Sequence, residues 1–244
     1  SFVIEDALLN ATVGGQLISS LLAVCCVTVA FCSNLLMVQD RVSGARRDLA
    51  VSPVRPSTIA VAYFCASALA TLLISLTALA ACLLYLAMAG WLLRAGDVLF
   101  MLLDVALLTL FGVALSSCVN FPLRTQGQGS AVGTIVSAGY GFLCGAYMPI
   151  SNFSSGLQKV LSFLPGTYGT SLLRNHALAG AYREMARVGF PAEVIEAIRD
   201  SIDCNLYFFG RSVSIGGMYA VLVGATLLLV GLYVLLNAVR RERT

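Results

Sequence analysis

Hydrophobic positions gather into long unbroken runs, and polar positions fall in short stretches between them. Five runs are long enough to cross a bilayer as helices: residues 13–38, 57–90, 97–119, 129–148 and 213–239. Each meets the requirement of ~20 mainly apolar residues for a hydrocarbon core of ~30 Å. The second is overlong, which implies tilt or extension past the bilayer. In lipid each segment must satisfy its own backbone hydrogen bonds, so the spans are helices. Barrel strands are shorter and alternate polar with apolar positions, which these runs do not. The predicted fold class is an all-α polytopic membrane protein forming a single transmembrane domain over 1–244.

The polar stretches between the runs carry further pattern. Pro149 breaks the helix at the end of the fourth run, because proline lacks an N–H and clashes with the preceding turn. Leu157, Val160, Leu161 and Leu164 then form an apolar stripe at helical spacing, and Pro165-Gly166 breaks it again. That length is too short to cross, and predicts a re-entrant helical hairpin over 149–165 at one mouth of the bundle. After Pro191, Val194, Ile195, Ile198 and Ile202 share one helical face, which predicts a short amphipathic helix packed on the same mouth. On the fourth run Gly129, Gly133, Ser137, Gly141 and Gly145 recur every four residues, a ridge that lets a second helix approach closely. Gly216, Ala220 and Gly224, and Ser67, Thr71 and Ser75, repeat the device on the fifth and second runs.

Composition agrees with lipid as the solvent: 59% of residues are hydrophobic and 11% charged, against about 25% charged in soluble domains. The net charge of +3 matters less than its placement. Arg41, Arg46, Arg47 and Arg55 follow the first span, Arg124 follows the third, and Arg240, Arg241 and Arg243 form the tail. If all five runs cross, these lie on one side, and the positive-inside rule makes that side cytoplasmic. The C-terminus is then cytoplasmic in the cell membrane, 39–56 is a cytoplasmic loop, and 149–212 lies outside. Ser1 then lies outside too. A first helix with a cytoplasmic N-terminus, giving six spans in the complete protein, is the simpler expectation.

Little in the chain suggests catalysis. No GxxxxGK[ST] phosphate loop occurs, and the one lysine, Lys159, is in the external hairpin. The one histidine, His176, is placed outside, with no nucleophile elbow near it. Seven of the eight cysteines lie in apolar runs, where they act as small hydrophobes, and only Cys204 sits among polar residues. No basic run is long enough to bind nucleic acid. Asp104, one to two turns inside the third span, is a functional candidate because an intramembrane carboxylate is expensive. No second buried ionisable group is apparent to relay protons with it.

One segment reads Asp40-Arg41-Val42-Ser43-Gly44 followed by Ser52-Pro53-Val54; another has Met148-Pro149, Pro165-Gly166-Thr167-Tyr168 and Leu173-Arg174. Together these resemble the ABC-2 family of exporter permeases. Many members carry Glu where Val42 stands, so an acidic contact to the motor protein is either absent here or moved to Asp40 or Asp48. The resemblance implies a coupling helix over 44–51, with Asp40, Gly44, Arg46, Arg47, Asp48 and Pro53 at the groove of a cytosolic ATP-binding cassette subunit. It implies an external gate containing Pro149, Pro165, Tyr168 and Arg174, and a second permease copy around a central path. ATP and Mg would sit on the partner, with no cofactor or metal in this chain. The rivals are an ion- or proton-coupled transporter using Asp104, and a membrane enzyme or non-transporting sensor subunit.

Overall fold

The computed structural model describes residues 6–45, 56–208 and 210–241. Its elements are α1 (Asp6–Ser43), α2 (Pro56–Ala89), α3 (Ala95–Asn120), α4 (Gln126–Leu143), a 3-10 turn (Ile150–Asn152), α5 (Ser155–Leu161), α6 (Pro165–Ala177), α7 (Ala179–Val188), α8 (Ala192–Ser201), β1 (Tyr207–Phe208), β2 (Arg211–Ser212) and α9 (Ile215–Arg241). The two strands form a small antiparallel hairpin, Tyr207 opposite Ser212. The chain is thus an all-α polytopic membrane protein.

Among the described residues α1, α2, α3 and α9 are long and apolar enough to cross a membrane. With 38 residues, α1 runs about 57 Å and overshoots a ~30 Å hydrocarbon core. The 18 residues of α4 cover about 27 Å, and five glycines and two glutamines dilute its hydropathy. It begins at a capping box: Thr125 Oγ1 accepts from the Gln128 N–H at 3.2 Å, and Gln128 Oε1 from the Thr125 N–H at 3.3 Å. It stops at Leu143, short of the predicted 148. Gly145 takes φ +75° there and the Tyr147 N–H returns to the Gly141 carbonyl. Gly145 therefore lies off the helix that was to carry it in the ridge.

Packing decides which helices are central. Half of the apolar stretch of α1 and of α3 is buried, against 17% for α2 and 11% for α9. The α1–α3 crossing is close because Gly112 removes a side chain: a Cβ there would lie 3.1 Å from the Ala30 Cβ and 3.2 Å from the Val27 Cα. Polar side chains join α1 to α3 and α3 to α2. Asn34 donates to Ser116 and Ser117 at 2.9 and 2.7 Å, and Thr109 to Ser75 at 3.4 Å. Ser67, Thr71 and Ser75 of α2 are all buried.

The bundle has two unlike ends. At one, the start of α1 meets the end of α2, and α7 and α8 bury Leu8, Ala181 and Met185 with Ile195 and Ile198. Arg183 of α7 pairs there with Asp97, which also accepts the Arg94 N–H and so starts α3. This is the capped end. At the other, Arg41 Nη1 donates to the carbonyls of Phe121 (2.7 Å) and Leu123 (2.5 Å), and Tyr233 of α9 packs on Met37 and Ala60. This basic end holds the last turns of α1 and α3 and the start of α4.

Candidate functional site

The loop expected to meet an ATPase lies at the basic end, and only its first part is described. Tyr63 of α2 donates to Asp40 at 2.7 Å, so that carboxylate is held within the chain. Val42 is exposed, and Gly44 turns the chain out of α1 with φ +90°. Arg46, Arg47, Asp48 and Pro53, and most of the expected helix over 44–51, lie outside the described residues.

At the capped end the structure inserts a helix that hydropathy does not mark. Every residue of α6 from Gly166 to Ala177 is buried, between α1, α3 and α9. Its composition is polar, so each group needs an internal partner. Thr167 donates to the Leu161 carbonyl at 3.1 Å, Thr170 to Gly166 at 3.1 Å, Tyr168 to Ser162 at 2.7 Å, and Ser171 to Cys204 at 3.1 Å. Gly169 admits Leu108 of α3, whose Cδ1 would lie 2.6 Å from an added Cβ. The expected apolar stripe behaves otherwise: Leu157 and Val160 face outward, Leu164 is half-buried and Leu161 alone is fully buried. The helix buried in the bundle here is α6, and not the segment 149–165. The stripe's exposed apolar side chains suit lipid, whereas burial of α6 depends on internal partners for most of its polar groups.

Arg174 anchors α6. Its side chain is 1% exposed, and it donates to the carbonyls of Ile202 (2.5 Å) and Gly145 (2.8 Å) and to Ser20 Oγ (3.4 Å). Asp203 lies 3.8 Å away and accepts the N–H groups of Ile150 and Ser151. One guanidinium thus joins α6 to α1, to the end of α4 and to the segment after α8. Burial pulls the Arg174 guanidinium below its usual range and pushes the Asp203 carboxyl up. Pro149 precedes the 3-10 turn held by Asp203, and Pro165 begins α6.

Asp104 does have partners, contrary to the sequence expectation. His176 Nδ1 stands 2.6 Å from its Oδ2, and Tyr219 of α9 donates to its Oδ1 at 2.5 Å. These two contacts tie Asp104 of α3 to α6 and to α9. Phe100 stacks on the imidazole, with centroids 5.0 Å apart. The chain position of His176, in the segment read as external, concealed this. The usable signal was the spacing of Phe100 and Asp104, one helical turn apart on α3.

The ridge residues do not act as one surface. Gly129 packs on α1, where an added Cβ would meet Leu35 at 2.7 Å. Gly133 meets nothing within 4 Å, Ser137 is half-buried, Gly141 is covered by the Tyr147 ring, and Gly145 faces Asp203 and Ile150.

Two hollows flank the first turn of α6. One, of about 520 Å³, is apolar and lies at mid-height between α3, α4 and α9. The other, of about 220 Å³, is polar and lies toward the capped end, against α5, α6 and the segment 200–207.

The family model described as "ABC-2 family transporter protein" matches residues 8–239. No curated protein matches the chain.

Proposed function

Because this chain belongs to the ABC-2 family of transporter proteins, we propose that it is the membrane-spanning subunit of an ATP-driven exporter of amphipathic molecules. That it is a multi-pass permease of an ABC transporter follows from the family; direction, substrate and mechanism are the proposal. The observation that carries it is α6, a fully buried polar helix wedged among α1, α3 and α9 at one mouth. Such an insert closes the path in one state and moves in another, as alternating access requires.

ATP, with its Mg, binds a separate ATP-binding cassette subunit on the cytoplasmic side. The basic end and the C-terminus face that side. Two such subunits closing on ATP push the loop 39–56, with Arg46 and Arg47 as its basic contacts and Asp40, Gly44, Asp48 and Pro53 shaping it. Two permease copies surround the path, and substrate leaves past α5–α6, with Pro149, Pro165, Tyr168 and Arg174 setting the gate. This chain supplies the path and no chemistry.

The test is accumulation of a fluorescent amphiphile in vesicles holding permease and ATPase. Accumulation should require ATP and stop with Arg46→Glu/Arg47→Glu while ATP hydrolysis continues. Coupled export that survives both changes counts against the lever.

The Asp104–His176–Tyr219 cluster favours one second reading, proton coupling. Transport would then survive loss of the ATPase and collapse with a protonophore or with Asp104→Asn. ATP-dependent accumulation indifferent to the protonophore rejects it.

A further inference from the structure

The two hollows share a wall. Leu164, Pro165 and Gly166 line the apolar cavity, and Ser162, Thr167 and Tyr168 line the polar chamber. The segment from Ser162 to Tyr168, the link after α5 with the first turn of α6, is the partition. Tyr168 closes it by donating to the Ser162 carbonyl, and Tyr140 of α4 pins it from below by donating to the Gly166 carbonyl at 3.3 Å. A molecule with a tail and a head that bends around this turn meets the matching environment on each side.

The cavity fits a chain rather than a helix. Along α4 it runs from Ile135 to Cys144, about 13 Å at 1.5 Å per residue. A spanning helix needs the full ~30 Å, and α6 blocks the cavity above. Its volume falls within the ~300–1,000 Å³ of small-molecule sites, and Phe111, Leu115, Ala225 and Leu228 give it hydrocarbon walls.

The chamber sets the sign of the head. Its charged lining residues are Asp200 and Asp203, without a lysine or arginine. Arg174 balances Asp203 from behind. Asp200 has no such cation: its Oδ1 accepts from Asn205 (2.8 Å) and Tyr207 (3.0 Å), and its Oδ2 has no hydrogen-bond partner among the described residues. The remaining lining is hydroxyl and amide, from Ser151, Gln158, Ser162 and Tyr207.

We propose that these hollows form one bipartite site for a single-chain cationic amphiphile, with its alkyl tail in the α3–α4–α9 cavity and its amine head at Asp200. As a substrate site it rests on the exporter reading; as a binding site it does not.

The experiment uses the full permease with its ATPase partner in phosphatidylcholine nanodiscs. The probe is an alkylamine carrying a diazirine at the end of its tail, and the competitors are dodecylamine, dodecyl sulfate and butylamine. Label should fall on α4 around 135–144 and on α9 around 225–229. Dodecylamine should compete at concentrations about tenfold below either control. Gly139→Leu fills the cavity from a position where an added Cβ meets only Leu143, at 3.9 Å. It should cut labelling about tenfold, as should Ala225→Phe from the other wall. Asp200→Asn should keep the label in place and abolish the preference for amine over sulfate. Label elsewhere, equal competition by sulfate, or label that dodecylamine cannot displace (a bilayer lipid holding the cavity) would overturn the site. If ATP-driven transport persists while this labelling fails, the site falls and the exporter reading stands. If labelling holds while no amphiphile is transported, the reverse applies.

Discussion

Arg174 shows how a single side chain sets the geometry of the capped end. Its guanidinium is buried and serves three elements besides its own. Removing one member of a buried charge pair leaves the other uncompensated, at a cost of about 3–5 kcal/mol. Arg174→Ala should therefore lower the melting temperature and the yield of the purified permease sharply. Arg174→Met with Asp203→Asn should recover part of that loss, because neither charge then remains buried. A double variant no better than the single would show that the carbonyl contacts matter and the pair does not. The Asp104–His176 contact allows a similar test. A double-mutant cycle of Asp104→Asn and His176→Ala in thermal melts should give a coupling of about 1–3 kcal/mol, and strictly additive losses would mean the contact does not hold α6 to α3.

Elements differ in how far hydropathy reveals them. The helices α1, α2, α3 and α9 are plain in the sequence because lipid imposes long apolar runs, and only their ends shift: α1 begins at Asp6 and not at 13. The end of α4 was missed because Gly145 reads equally well as one more step of a small-residue ridge or as a left-handed stop. Only the backbone decides that. The helix α6 was invisible for a different reason. Its burial depends on partners in α3, α5 and the segment after α8, and no local window contains them. The contact of His176 with Asp104 was hidden with it. The glycines of α4 and α3 now separate by expected outcome. Gly112→Leu drives a side chain into the α1 backbone and should abolish folded protein. Gly133→Leu points into open space and should leave the monomer's unfolding free energy within about 0.5 kcal/mol of the parent. If Gly133→Leu nevertheless splits a detergent-purified dimer on size exclusion, that face of α4 meets the second copy; an intact dimer would place it elsewhere.

At the scale of the whole molecule, the two ends connect through α6. The basic end joins α1, α2, α3 and α9 through Tyr63–Asp40, the Arg41 contacts and Tyr233. Three of those helices, α1, α3 and α9, also grip α6. A displacement of the basic end thus reaches α6 through helices that are continuous from one end to the other. If that is how export is driven, fixing α6 to one of its walls should stop transport without stopping the motor. The Gly169–Leu108 contact is the place, since an added Cβ at 169 would lie 3.5 Å from the Leu108 Cγ. With Gly169→Cys and Leu108→Cys together, oxidation should form a disulfide, because the Leu108 Cγ, where a cysteine sulfur would stand, is 3.5 Å from an added Cβ at 169. The oxidised complex should lose ATP-dependent export in vesicles by at least about tenfold yet still hydrolyse ATP, and reduction should restore export. Each single-cysteine variant should be indifferent to oxidant, which controls for the eight native cysteines. Full export from the crosslinked complex would mean that α6 stays seated on α3 throughout the cycle, and the path would then have to open along another face of the bundle.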